Sequence, residues 1–182
     1  MSLRPSQRWL LPLLLGLCIF LADQLSKLWI FTTLGPIPNQ RSIVLMGDWL
    51  TLIYSRNTGV AFGLFPDMSQ FFTFTSILIT LGLLYAYAYH LPNQSLSIQL
   101  GLGMIAGGAL GNIADRIRLG YVVDFISVGW WPVFNVADSG ITLGVTILAF
   151  YLIFIGDEPP VARPVPRDDG LLRELLSRDV SD

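Results

Sequence analysis

The chain of 182 residues is 53% hydrophobic and only 13% charged, with a mean hydropathy of +0.60, a mixture that excludes an ordinary soluble domain. Its formal net charge of −2 says little about partners, because the acidic excess lies beyond Gly156 and no basic stripe marks a nucleic-acid surface. One cysteine, Cys18, excludes an intramolecular disulfide, and one histidine, His90, excludes a histidine-rich metal cluster.

In chain order, the first apolar run, Trp9 to Phe31, is long enough to cross a bilayer core. Arg4 and Arg8 ahead of it imitate a secretory leader, but Leu17 is too bulky to precede a cleaved Cys18. The run is therefore read as a retained span, with Cys18 a small buried apolar group. Asp23 and Lys27 lie one turn apart on one face of it. In the following loop, "SIVLMGDWLTLIYSRN" holds two β-favouring runs around Gly47-Asp48, which predicts a hairpin. That hairpin delivers "NTGVAFG", residues 57 to 63, in which Asn57 and Gly59 also fit a simple turn.

The second span, Gln70 to Tyr89, has no acidic or basic residue, as expected of a structural or lipid-facing helix, and Tyr85, Tyr87 and Tyr89 fit an aromatic belt. The third, Ile98 to Ile117, carries Gly103, Gly107 and Gly111 as a ridge for close helix packing. Asn112, Asp115 and Arg116 share a face at its end. Asp124 lies in the short connection to the fourth span, Val136 to Ile155, with Trp130 and Trp131 fitting a second aromatic belt. Asn135 and Asp138 sit at the start of that span. Residues 157–182 are charged and proline-rich, the composition of a disordered tail, with "LLRELLSR" one or two amphipathic turns.

Arg4 and Arg8 before the first span, and Arg163, Arg167, Arg173 and Arg178 after the last, put both termini in the cytoplasm. The expected fold is an all-α membrane protein: four transmembrane helices with a small extracytoplasmic β element on the outer loop. Residues 1–156 form the membrane-embedded domain and residues 157–182 a cytoplasmic tail. In this arrangement every ionisable residue in or beside a span converges on the outer leaflet.

Each such group costs about 2.5 to 3.5 kcal/mol at membrane depth, so the cluster needs a reason. Pairing supplies one: Asp23 with Lys27, and Asp115 with Arg116 or Arg118. That assignment leaves no cation for Asp124 and Asp138. Two such carboxylates brought together cannot both ionise, which gives one acid and one base, as in an aspartic protease. Spacing alone weighs this equally against two interface aspartates that accept from loop amides. An ion-conducting path through Asp23, Lys27, Asp115 and Arg116 is a second class of reading, opposed by the absence of charge in the inner half of every span. A structural subunit with a polar partner interface is a third.

Four segments carry a resemblance: "DQLSK" at 23–27, "NTGVAFG" at 57–63, "GGALGNIADRIRLGYVVDFI" at 107–126 and "FNVADSGITLG" at 134–144. In content and order the chain resembles the lipoprotein signal peptidases, or signal peptidase II, over roughly residues 9 to 156. Val60 stands where the family more often has alanine. The resemblance implies an aspartic endopeptidase of the bacterial cytoplasmic (inner) membrane that cuts prolipoproteins immediately before a diacylglyceryl-modified cysteine, with its active site at the extracytoplasmic leaflet. It maps the catalytic aspartates onto Asp124 and Asp138. Supporting or substrate-binding residues map onto Asp23, Lys27, Asn57, Gly108, Asn112, Arg116 and Asn135, and Asp115 takes a structural role. No metal or organic cofactor is expected. The expected partners are the lipid-modified prolipoprotein and membrane lipids, and the expected state is a monomer.

Overall fold

Apolar runs that cannot hydrogen-bond to lipid must satisfy their backbone internally, and all four do so as helices. A computed structural model describes residues 7–59 and 68–156 of the chain. In order, it contains α1 (Gln7–Leu34), β1 (Ser42–Met46), β2 (Leu50–Asn57), α2 (Ser69–Tyr89), α3 (Leu96–Leu119), β3 (Val122–Val128) and α4 (Val136–Phe154). All four helices are long and apolar enough to span a membrane. α1 and α3 run past the predicted apolar limits at both ends, because helical hydrogen bonding continues into flanking polar residues. Arg4, Val60 and the tail 157–182 lie outside the described residues.

α3 is the central helix. Two-thirds of its most apolar window is buried, 67%, against 11 to 17% for the other three. It is also the helix with glycines on two faces. A Cβ on Gly103 would lie 2.9 Å from the Pro12 carbonyl oxygen, and one on Gly107 would fall onto the Gly16 backbone. The predicted ridge is therefore the α1 contact. On the other face Gly101 meets Gly144, and Gly108 meets the carbonyl of Ala137, which closes α3 onto α4.

The hairpin forms as expected, with β1 antiparallel to β2, but a third strand joins it. β3 pairs antiparallel with β2 to give the order β1-β2-β3. The predicted short connection carrying Asp124 is thus a strand. Beyond it Phe134 folds back onto Ile126, so the chain enters α4 directly beside β3. Ile30 and Leu34 of α1 pack with Tyr54, Val123 and Phe125, fastening the sheet to one end of the bundle.

Two further expectations are corrected. Tyr87 is not a belt residue: it is fully buried against Ile98 and Leu102, and its hydroxyl donates to the Arg8 carbonyl, leaving Tyr85 and Tyr89 exposed. Cys18 is exposed on α1 rather than buried.

Candidate active site

The site is assembled where β3, the end of α3 and the start of α4 meet. Antiparallel pairing sets Ser55 opposite Asp124 and Asn57 opposite Val122, so Asn57 and Asp124 are diagonal neighbours on one face of the sheet. Asn57 Nδ2 donates to Asp124 Oδ2 at 2.9 Å, and Asn135 Nδ2 donates to Asp124 Oδ1 at 2.7 Å. Asp124 itself is 2% exposed.

α4 opens on an N-cap. Asn135 is extended, its Oδ1 accepts from the Asp138 N–H at 2.9 Å, and Asp138 Oδ2 accepts from the Asn135 N–H at 3.2 Å. This reciprocal capping box satisfies two N–H groups that helix geometry leaves open. It also brings the two aspartates to opposite ends of one residue, since Asn135 binds Asp124 through its amide and Asp138 through its backbone. Asp138 Oδ1 accepts from Asn112 Nδ2 at 2.8 Å.

Behind this pair lies a buried ion cluster. Lys27 Nζ is 2.8 Å from Asp23 Oδ2 and 2.8 Å from Asp115 Oδ2, and it donates to Asn112 Oδ1 at 3.1 Å. The Asp23–Lys27 pairing is as expected. Asp115 is not paired with Arg116 or Arg118: it takes Lys27, the Val123 N–H at 3.1 Å and Gln24 Nε2 at 3.1 Å. Asp115 thereby ties α1, α3 and β3 together. Asp23 Oδ1 accepts from the Ala137 N–H at 3.0 Å, fixing α1 to the first turn of α4.

Arg116, released from Asp115, donates to the Gly59 carbonyl at 3.3 Å and acts electrostatically on Asp138, Asp124 and Asp115. The expectation that no cation is left for Asp124 and Asp138 is therefore corrected: both feel Arg116, and Asp124 also feels Lys27. Gly108 takes no part in the polar network. Its missing side chain makes room for Ala137, so that the α4 turn bearing Asp138 can rest on α3.

Gln24 was not singled out in the sequence, although it contacts Asp23, Asp115 and the Gly111 carbonyl and accepts from Arg118. The available signal was its place between Asp23 and Lys27, one turn from Lys27 on the helix face.

Burial pushes the Asp124 carboxyl up to about 7, and repulsion from Asp138 adds to the rise, while Asn57, Asn135 and Lys27 oppose it. One carboxyl of the pair is thus suited to hold a proton near neutrality. A crevice of about 200 Å³ runs from Asn112 and Arg116 between α2, α3 and α4, with Ile79, Ile105 and Ile141 on its walls. A second, polar crevice with Thr58, Ser69 and Thr73 also opens on Arg116. Among the described residues no group of three His, Cys, Asp or Glu side chains is placed to hold a metal ion.

Comparison with known proteins follows the same segments. The family model described as signal peptidase (SPase) II matches residues 15–154. A lipoprotein signal peptidase of Moorella thermoacetica is 42% identical over 146 residues, covering 80% of this chain and 95% of the relative. One from Rhodococcus jostii is 39% identical over 163 residues, covering 86% and 79%. A solved bacterial membrane enzyme structure, obtained by the in meso method, superposes with a TM-score of 0.73 at 29% identity, covering 84% of this chain and 93% of that one.

Proposed function

The chain belongs to the signal peptidase II family of aspartic peptidases and has the activity of a lipoprotein signal peptidase, and from that premise we propose that Asp124 and Asp138 are its catalytic pair. The observation that carries the assignment is Asn135, which holds Asp124 by its side chain and Asp138 by its backbone. In this reading Asp124 carries the proton of the pair, in keeping with its raised carboxyl. Asp138 takes a proton from water, the hydroxide oxygen bonds to the scissile carbonyl carbon, and Asp124 protonates the carbonyl oxygen. Collapse of the tetrahedral intermediate breaks the C–N bond as Asp138 gives its proton to the leaving amine and Asp124 takes back the proton of one gem-diol hydroxyl, which leaves the new carboxyl group and restores the pair.

The substrate is a prolipoprotein cut immediately before a diacylglyceryl-modified cysteine. Asp23, Lys27, Asn57, Asn112, Arg116 and Asn135 support the pair or the bound peptide, Gly108 provides close packing beneath it, and Asp115 is structural. The enzyme acts as a monomer in the bacterial cytoplasmic membrane. Both termini are cytoplasmic and the sheet end is extracytoplasmic, where a membrane-anchored, lipidated substrate presents its scissile bond. Residues 1–156 are the peptidase unit and residues 157–182 a cytoplasmic tail. Exposed Trp49, Trp130 and Trp131 beside the sheet support its place at a membrane surface.

The test is cleavage of a diacylglyceryl-modified prolipoprotein, beside its unmodified twin, by purified wild type, Asp124→Asn and Asp138→Asn. Wild type is expected to cut only the lipidated form, and both variants to fold and lose cleavage. Near-normal turnover by either variant would remove that aspartate from the mechanism.

A further inference from the structure

Among the described residues three side-chain amides touch the proposed catalytic pair, and an amide can turn either its oxygen or its nitrogen toward a neighbour. Only the nitrogen can donate to a carboxylate. In all three the oxygen is already taken by a donor. Asn57 Oδ1 accepts from the Gly59 N–H at 3.0 Å, and Asn135 Oδ1 from the Asp138 N–H at 2.9 Å. Asn112 Oδ1 accepts from Lys27 Nζ at 3.1 Å, which leaves Asn112 Nδ2 to donate to Asp138 Oδ1 at 2.8 Å. The backbone orients two of the amides, and a side chain orients the third.

Asn135 Nδ2 also lies 3.1 Å from Asn112 Oδ1, but its two hydrogens serve three acceptors, the others being Asp124 Oδ1 at 2.7 Å and the Val123 carbonyl at 3.2 Å. Lys27 is therefore the group with a full N–H for that oxygen. Its buried ammonium has three N–H bonds and three acceptors. The carboxylates of Asp23 and Asp115 hold the charge in place, and the third N–H is left for the amide.

We propose that Lys27 is a positioning residue for peptide cleavage, acting through Asn112: by occupying Asn112 Oδ1 it fixes the amide orientation that holds Asp138 in line with Asp124. This rests on the assignment of Asp124 and Asp138 as the catalytic pair. Without the ammonium, Asn112 can rotate its oxygen toward Asp138, setting lone pair against lone pair and displacing the carboxylate.

The experiment is a double-mutant cycle of Lys27→Met and Asn112→Ala in the purified full chain, with kcat and KM for a diacylglyceryl-modified prolipoprotein measured per folded enzyme. Lys27→Met is expected to lower kcat on the order of 10- to 100-fold, with KM changed by less than about threefold. In the Asn112→Ala background the same substitution is expected to change kcat by less than about threefold. Asp115→Asn, which removes one carboxylate from the ion cluster, is expected to lose stability and serves as a reference for the ion cluster itself.

An equal loss of kcat in both backgrounds overturns the proposal, as does an unchanged kcat in folded Lys27→Met. Should Lys27→Met alone not fold, the pair Lys27→Met/Asp115→Asn, which buries one carboxylate fewer, is compared with Asp115→Asn under the same criteria. Asp124→Asn and Asp138→Asn are assayed alongside. Turnover in those variants overturns the catalytic pair itself, whereas its loss there beside an unaffected Lys27→Met overturns only the positioning role.

Discussion

Titration of Asp124 is expected to set both the alkaline limit of turnover and part of the pH dependence of stability. Its carboxyl is raised from 3.8 to about 7, chiefly by burial and next by Asp138. If turnover needs the Asp124 proton, the active fraction is one half near pH 7, about a tenth at pH 8 and about a hundredth at pH 9. Stability moves in the same direction. A group whose folded value lies above its unfolded value contributes stability fully present below about pH 4 and lost as pH rises through about 7. At about 1.4 kcal/mol per pH unit, that loss approaches 4 kcal/mol. The perturbation is Asp124→Asn, which keeps the shape and removes the titration. The stability difference between variant and wild type should therefore shift by about 4 kcal/mol in favour of the variant from pH 4 to pH 8. Denaturation in detergent micelles, followed by tryptophan fluorescence, reads this difference, and saturating initial rates from roughly pH 5.5 to 9 read the wild-type limb. Turnover that stays level to pH 9, or a stability difference independent of pH, would refute the reasoning.

Asn57 donates to Asp124 and favours its ionised form, so Asn57→Leu should move the alkaline limb of kcat upward by about half a pH unit or more. A limb that stays or moves down contradicts the assigned hydrogen bond. In the helix bundle, a Cβ on Gly107 would fall onto the Gly16 backbone, whereas one on Gly82 meets nothing within 4 Å. Gly107→Ala should therefore cost about 1 to 3 kcal/mol by forcing α1 from α3, while Gly82→Ala should be neutral or stabilising by up to about 1 kcal/mol. Thermal midpoints of the two variants check this, and equal midpoints would mean that α1 and α3 do not meet at Gly107.

The spans were legible in the sequence because length and hydropathy report them directly. Their rotation was not. α1 is apolar on every face around Cys18, so nothing in its pattern says which side meets protein and which meets lipid. Tyr87 departs from the expected belt for the same reason, since its aromatic neighbours on α2 do face outward. β3 escaped because its partner is remote: Asn57 and Asp124 are 67 positions apart, and an apolar run next to a span reads as an extension of the loop. The expected partners of Asp115 are Arg116, the next residue, and Arg118, which instead donates to Gln24. Adjacent helical side chains point apart, however, and the glycine ridge brings Lys27 in from α1 to take that place. Asp124, Asp138, Asn112 and Asn135 stand out in the sequence as polar residues beside apolar spans, and the fold brings them into one hydrogen-bonded cluster. What the sequence could not supply was the wiring among them.

The return of Phe134 onto Ile126 has a consequence for how the molecule assembles. It makes the contact between Asn135 and Asp124 a local one, only 11 positions apart, whereas Asp23 reaches Ala137 across 114. Closing the longer loop costs about 2 kcal/mol more in chain entropy than closing the shorter. Asp124 and the cap of α4 can therefore find each other as a small self-contained hairpin, and α1 docks onto a shape that already exists. Since α1 precedes that hairpin in the chain, it must wait in the bilayer for its partners. The proposed catalytic pair is complete only when α4 has been made.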